Sequence, residues 1–182
     1  MTLQTFTLGT FAQQGAAGGT SYESIATTSV STGTTTIEFA SIPSTYTHLQ
    51  IRGIWSRVST NQYAYLRFNT DTGTNYAWHD IYGDGAGIFA ERNASQDAIA
   101  MAYSSSGTTF TGFVYDILDY ANTTKYKTVR GIEGRDLNGS GAIAFHSGLW
   151  LNTNAITNIR IHTSANQIAQ YSHFALYGIK AA

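Results

Sequence analysis

The run Phe110-Thr111-Gly112-Phe113-Val114-Tyr115-Asp116-Ile117-Leu118 decides the class of fold. Read with period two, it puts Phe110, Val114 and Leu118 on one side and Phe113, Tyr115 and Ile117 on the other. β-branched and aromatic residues alternate without a helical stripe, which predicts a central strand covered on both sides. The same pattern repeats in both directions along the chain. Upstream, Ala64, Leu66 and Phe68 oppose Tyr63, Tyr65 and Arg67, and earlier Leu49, Ile51 and Trp55 share a face. Ile37 and Phe39 alternate with Thr36 and Glu38, before the single proline, Pro43. Downstream, residues 126–133 alternate. Ile143, Phe145, Leu149 and Leu151 share a face after the turn signal of Asp136, Asn138, Gly139, Ser140 and Gly141. Ile159 with Ile161, and Phe174 with Leu176, complete a count of about nine or ten strands at the spacing of sandwiches and barrels. The expectation is an all-β chain forming a single antiparallel β-sandwich.

Composition narrows the function. The 182 residues suit one domain. Lys plus Arg number 10 against 11 Asp plus Glu, so no basic excess is present to neutralise a phosphate backbone, and nucleic acid is not expected as a partner. Charged residues are only 12 % of the chain, about half the usual share, which predicts a polar but weakly charged surface. No apolar run is long enough for a membrane-spanning helix, and residues 1–10 lack the pattern of a signal peptide, so no membrane is expected. With no cysteine, disulfides and thiolate ligands are excluded.

The first twenty residues read differently from residues 21–182, the expected sandwich domain. Leu3, Phe6, Leu8 and Phe11 offer an apolar face, and residues 13–20 then dissolve into Gln, Ala and Gly. Two readings follow: a first strand with a long loop, or an arm on a hinge that docks as an extended strand on another subunit or on a larger particle.

Chemistry is sparse. His48, His79, His146, His162 and His173 lack the spacing that places metal ligands on one element, and they read as surface histidines, exposed or hydrogen-bonded, so no metal is expected. His79 and Asp80 are adjacent and on a strand point to opposite faces, which suits no catalytic pair. Glu38, Glu91, Asp116 and Glu133 are the carboxylates available for a hydrolytic pair, whose separation only the fold can set. Asn69, Asp71, Gly73 and Asn75 resemble the start of a calcium loop, but Asx-turn chemistry accounts for them, and Gly83, Gly85 and Gly87 read as a loop. No catalytic residue and no cofactor is expected, and the chain does not read as an enzyme. Aromatic residues are abundant, with 12 Tyr, 9 Phe and 3 Trp. Trp55 and Trp150 belong to apolar strands and the core, whereas Trp78, in a polar run, is the candidate platform for stacking on a sugar ring.

Four stretches resemble a widespread type of tailed-bacteriophage virion protein: residues 42–52 (IPSTYTHLQIR), 66–76 (LRFNTDTGTNY), 116–128 (DILDYANTTKYKT) and 174–180 (FALYGIK). The resemblance implies a jelly-roll-like sandwich serving as a capsid decoration or cement protein, or as a tail-fibre or adhesin module that binds host-surface carbohydrate. It carries no catalytic motif. A short arm before a single domain favours decoration of the head. The partners then implied are copies of the chain itself, as a homotrimer, and the major capsid protein or other virion proteins on the capsid surface. A host glycan is a partner only in the tail reading.

Overall fold

A computed structural model describes residues 21–164 and 167–180. Twelve strands follow in order: β1 (Tyr22–Ser29), β2 (Thr36–Phe39), β3 (His48–Trp55), β4 (Gln62–Phe68), β5 (Tyr76–Gly83), β6 (Ile88–Gln96), β7 (Ile99–Ser104), β8 (Thr111–Leu118), β9 (Lys127–Asp136), β10 (Gly141–Trp150), β11 (Ile159–His162) and β12 (His173–Ile179). No helix occurs among the described residues. The strands form two antiparallel sheets, one ordered β1-β12-β3-β8-β9-β10-β5-β6 and the other β2-β11-β4-β7. The all-β sandwich expected from the alternation is present.

Its topology is a nested one. β1 pairs with β12, β2 with β11, β3 with β8 and β4 with β7, so a long antiparallel ribbon is folded over itself and its strands alternate between the sheets. This is the eight-strand jelly roll of two Greek keys. The remaining four strands are two insertions: β5 and β6 between β4 and β7, and β9 and β10 between β8 and β11. They join each other through the β5–β10 ladder and extend the large sheet by four strands.

The core lies between the sheets. Leu49, Ile51 and Trp55 from β3 and Ala64, Leu66 and Phe68 from β4 are fully buried, on the faces that their alternation predicts. β8 departs from expectation. Phe113, Tyr115 and Ile117 enter the core, but Val114 and Leu118 are only half-buried, because no layer covers the outer face of the large sheet among the described residues. β10 departs further: Ala144, His146, Gly148 and Trp150 face the core, while Ile143 and Phe145 point outward, 54 % and 57 % exposed. The shared apolar face is real but lies outside.

At one end of the sandwich the aromatic packing is dense. Trp150 stacks on Tyr76 at 6.3 Å and lies 5.5 Å from Phe68. Its indole N–H donates to Asp71 Oδ2 at 2.8 Å. Asp71 also accepts from Gly73 N at 2.9 Å and from Asn75 Nδ2, so the stretch 69–75 is an Asx-type turn that seals the core. Burial alone would raise the Asp71 carboxyl, but the donors Trp150, Asn75 and Gly73 outweigh it and hold it below the ordinary range.

Candidate functional site

β7 is the edge strand of the small sheet and packs across β8, β9, β10 and β5. The large sheet continues beyond it. β6 has seven of its nine residues exposed, so the inner face of the inserted strands forms an overhang. Under that overhang opens a cleft of about 330 Å³. Its walls are Tyr63 from β4, Tyr103 from β7, Tyr82 from β5, Glu91 from β6, and Glu133 and Arg135 from β9. Ala142 and Ala144 of β10 form the floor, and their small side chains leave the space open.

Strand register explains the convergence. Ala144 stands opposite both Glu133 and Tyr82, and in the next row His146 stands opposite Asp80, which stands opposite Glu91. Glu133 is 4 % exposed and holds two partners: its Oε2 accepts the Tyr103 backbone N–H at 2.6 Å, and its Oε1 lies 3.3 Å from His146 Nε2. With its proton on that nitrogen, the imidazole donates to Glu133. On the other side, His146 Nδ1 is 3.9 Å from Asp80 Oδ2, which accepts the Tyr63 hydroxyl at 3.2 Å. Asp80 Oδ1 has no hydrogen-bond partner among the described residues. Burial raises the Glu133 carboxyl despite the opposing pull of His146. Burial, followed by the charge of Asp80, keeps the Tyr63 phenol strongly protonated, and Tyr115 is raised in the same way by burial and Glu133.

The aromatic walls are organised as well. Tyr63 meets Tyr103 edge-on at 4.9 Å. The Arg135 guanidinium lies over the Tyr103 ring at 4.8 Å. Tyr82 stacks on Phe89 at 5.0 Å, and Phe89 is 45 % exposed.

The sequence candidates are placed as follows. Trp78 is buried, inside the core and 6.0 Å from the Tyr63 ring. The expectation of an exposed platform there is corrected: polar neighbours in sequence do not expose Trp78, because the inner face of β5 carries Tyr76, Trp78 and Asp80 inward together. Leu3, Phe6, Leu8 and Phe11 lie outside the described residues. The reading of all five histidines as surface side chains is corrected at His146, which is hydrogen-bonded but buried, between Glu133 and Asp80. His48 accepts the Asp119 backbone N–H at 3.0 Å, and His173 pairs with the Ser29 hydroxyl. His162 stacks on Tyr65, and burial followed by the nearby Arg67 pushes it down to about 4. Glu91 and Glu133 reach one cleft, whereas Asp116 lies on the outer face of β8, bonded to Gln50 and Arg130, and Glu38 on β2 binds Asn158. Asp84 accepts from Ala86 and Gly87 N–H groups and shapes the β5–β6 turn.

A second feature occupies the opposite face of the same strands. Val114, Ile132, Phe145, Ile81 and Ala90 stand side by side across β8, β9, β10, β5 and β6. The neighbouring row reads Ile54, Gly112, Gly134, Ile143, Gly83 and Ile88, so glycines flatten the space between exposed isoleucines. Ile54, Ile81, Ile132 and Ile88 are all at least 40 % exposed. The first row ends at the exposed Arg52 of β3, opposite Val114, and charged side chains flank both rows, with the Asp116–Arg130 pair on one side and Asp136 on the other. Compared with protein-family models, curated proteins and solved structures, the chain has no match.

Proposed function

We propose that this chain is a structural protein of a bacteriophage virion, a capsid decoration protein that works as a homo-oligomer. One observation carries the assembly: the two apolar rows across the outer face of the inserted strands. Contiguous exposed apolar surface of this kind marks sites of protein association. A second copy of the chain is the occupant that fits, because Arg52 is the one charged side chain within the two rows, both signs of charge border them, and the chain as a whole is close to neutral, which suits a self-complementary contact. The position on a virion, and three as the number of copies, come from the resemblance of the four sequence stretches to phage virion proteins.

The decisive experiment images particles with and without the protein while sedimentation follows it in solution. Expected are an oligomer at micromolar concentration and regularly spaced density on the capsid. A stable monomer that leaves particles undecorated overturns the proposal.

A further inference from the structure

The cleft under the overhang gathers a large share of the acidic side chains of the protein. Asp84, Glu91 and Glu133 line it and Asp80 stands behind, four of the 11 acidic residues of a weakly charged chain. Asp80 and Glu91 are directly opposed on neighbouring strands, an arrangement that costs stability unless something lies between or beside the charges. The volume of about 330 Å³ is at the small end of the range of about 300–1,000 Å³ for ligand sites.

Chemistry selects the ligand class by elimination. An anion is repelled, since three carboxylates face the space against the single guanidinium of Arg135. A quaternary ammonium group would share the space with the Arg135 guanidinium, which lies at the wall over the Tyr103 ring at 4.8 Å and repels a second cation there. A wholly apolar ligand would strip water from Glu91 and Glu133 and return no hydrogen bond. A neutral molecule with many hydroxyls and one apolar C–H face satisfies every wall: carboxylates accept from hydroxyls, Arg135 donates, and Tyr82, held by its stack on Phe89, offers an aromatic surface. Glu133 is set for this by its bonds to Tyr103 N–H and His146, which fix its carboxylate at the cleft wall. We propose that the cleft bounded by Tyr63, Tyr82, Tyr103, Glu91, Glu133 and Arg135 is a binding site for a neutral mono- or disaccharide.

The test uses the full chain and ligand-observed NMR, with titration calorimetry for any sugar that binds. The probes are glucose, galactose, N-acetylglucosamine, lactose and chitobiose, with glucuronate and sialyllactose as acidic comparators. At least one neutral sugar is expected to bind and the acidic ones at least tenfold more weakly. Glu91→Gln, at an exposed position where folding is not at risk, is expected to weaken binding at least tenfold by removing a charged acceptor. Tyr82→Ala is expected to abolish it. If no neutral sugar binds at millimolar concentration, if an acidic sugar binds best, or if Glu91→Gln leaves affinity unchanged, the assignment is overturned. Both variants lie on the inner face, so this test and the assembly test fail independently.

Discussion

Phe145→Thr isolates the outer face, because it removes an exposed ring while keeping a side chain suited to a strand. The ring is 57 % exposed. Of the roughly 200 Å² that a phenylalanine presents, about 110 Å² is therefore open to a partner. At about 25 cal/mol per Å² this is ~3 kcal/mol for full coverage, and ~2 kcal/mol after the area of the threonine replacing it is subtracted. Each interface should then weaken by roughly 30-fold. A closed ring of three contains three such interfaces, so its overall association constant should fall by about four orders of magnitude. Folding of the single chain should change by no more than about 0.5 kcal/mol, since the ring has little burial to lose. Sedimentation velocity across a concentration series reads the first quantity and urea denaturation the second. Equal association by variant and parent, or a variant that loses stability rather than assembly, would refute the reasoning.

Trp150→Phe keeps most of the ring stack but removes the N–H that reaches Asp71, and should cost about 1–3 kcal/mol at neutral pH. The Asp71 carboxyl is held low, so its contribution is complete above the unfolded value of about 4 and is lost as pH falls through the folded value. The gap between variant and parent in urea midpoint should therefore narrow below about pH 4; a constant gap would show that Asp71 plays no part. Glu133 behaves in the opposite sense, because burial raises its carboxyl. Its stability term is fully present below the unfolded value of about 4.3 and is lost as pH rises through the folded one. Glu133→Gln retains an acceptor for Tyr103 N–H but no longer titrates, so its stability relative to the parent should improve between about pH 4 and pH 7 by chemical denaturation. A relative stability that falls over that interval would reverse the assigned sign.

Of the nested ribbon, β2, β3, β4, β8, β11 and β12 were legible because apolar and other residues alternate in them, whereas β1 and β7 were not read as strands. Leu49, Ile51 and Trp55 are apolar while Gln50 and Arg52 between them are not, so the inward face follows from the sequence. β10 offers no such choice. Period two correctly groups Ile143, Phe145 and Leu149, but grouping does not say which side is inside, and Ala144, His146 and Gly148 look the less suited to a core. Trp150 was the signal: it shares a face with His146 and is far too large to be left outside. β7 was missed although the unbroken apolar run of residues 98–102 is the mark of a strand buried on both sides. The partnership of His146 with Glu133 was half legible, since the turn at 137–140 sets Ala144 opposite Glu133 and His146 diagonal to it. Asp80 and Tyr63 were not, because they reach His146 only through the β5–β10 ladder and the packing of the small sheet.

Foldable sequences satisfy local rules throughout, and departures from those rules collect where a chain has another task. In this protein the eight strands of the jelly roll bury most of their apolar residues, Tyr22 of β1 and Ile54 of β3 being exposed. Most of the departures fall on the other four strands. Outside, Ile81, Ile88, Ile132, Ile143 and Phe145 all belong to β5, β6, β9 and β10, where a sheet facing water would carry polar residues. Inside, the opposed Asp80 and Glu91, the buried Glu133 and His146 beside them come from the same strands. Both departures have one geometric origin: two hairpins that pair with each other extend the large sheet past β7, the edge of its partner sheet. A sheet extended past its partner has two unpacked surfaces, one on each side. A hydrophobic surface outside and a polar, aromatic one inside give those two sides different chemistry, which is why assembly and ligand binding are assigned to opposite faces of one insertion.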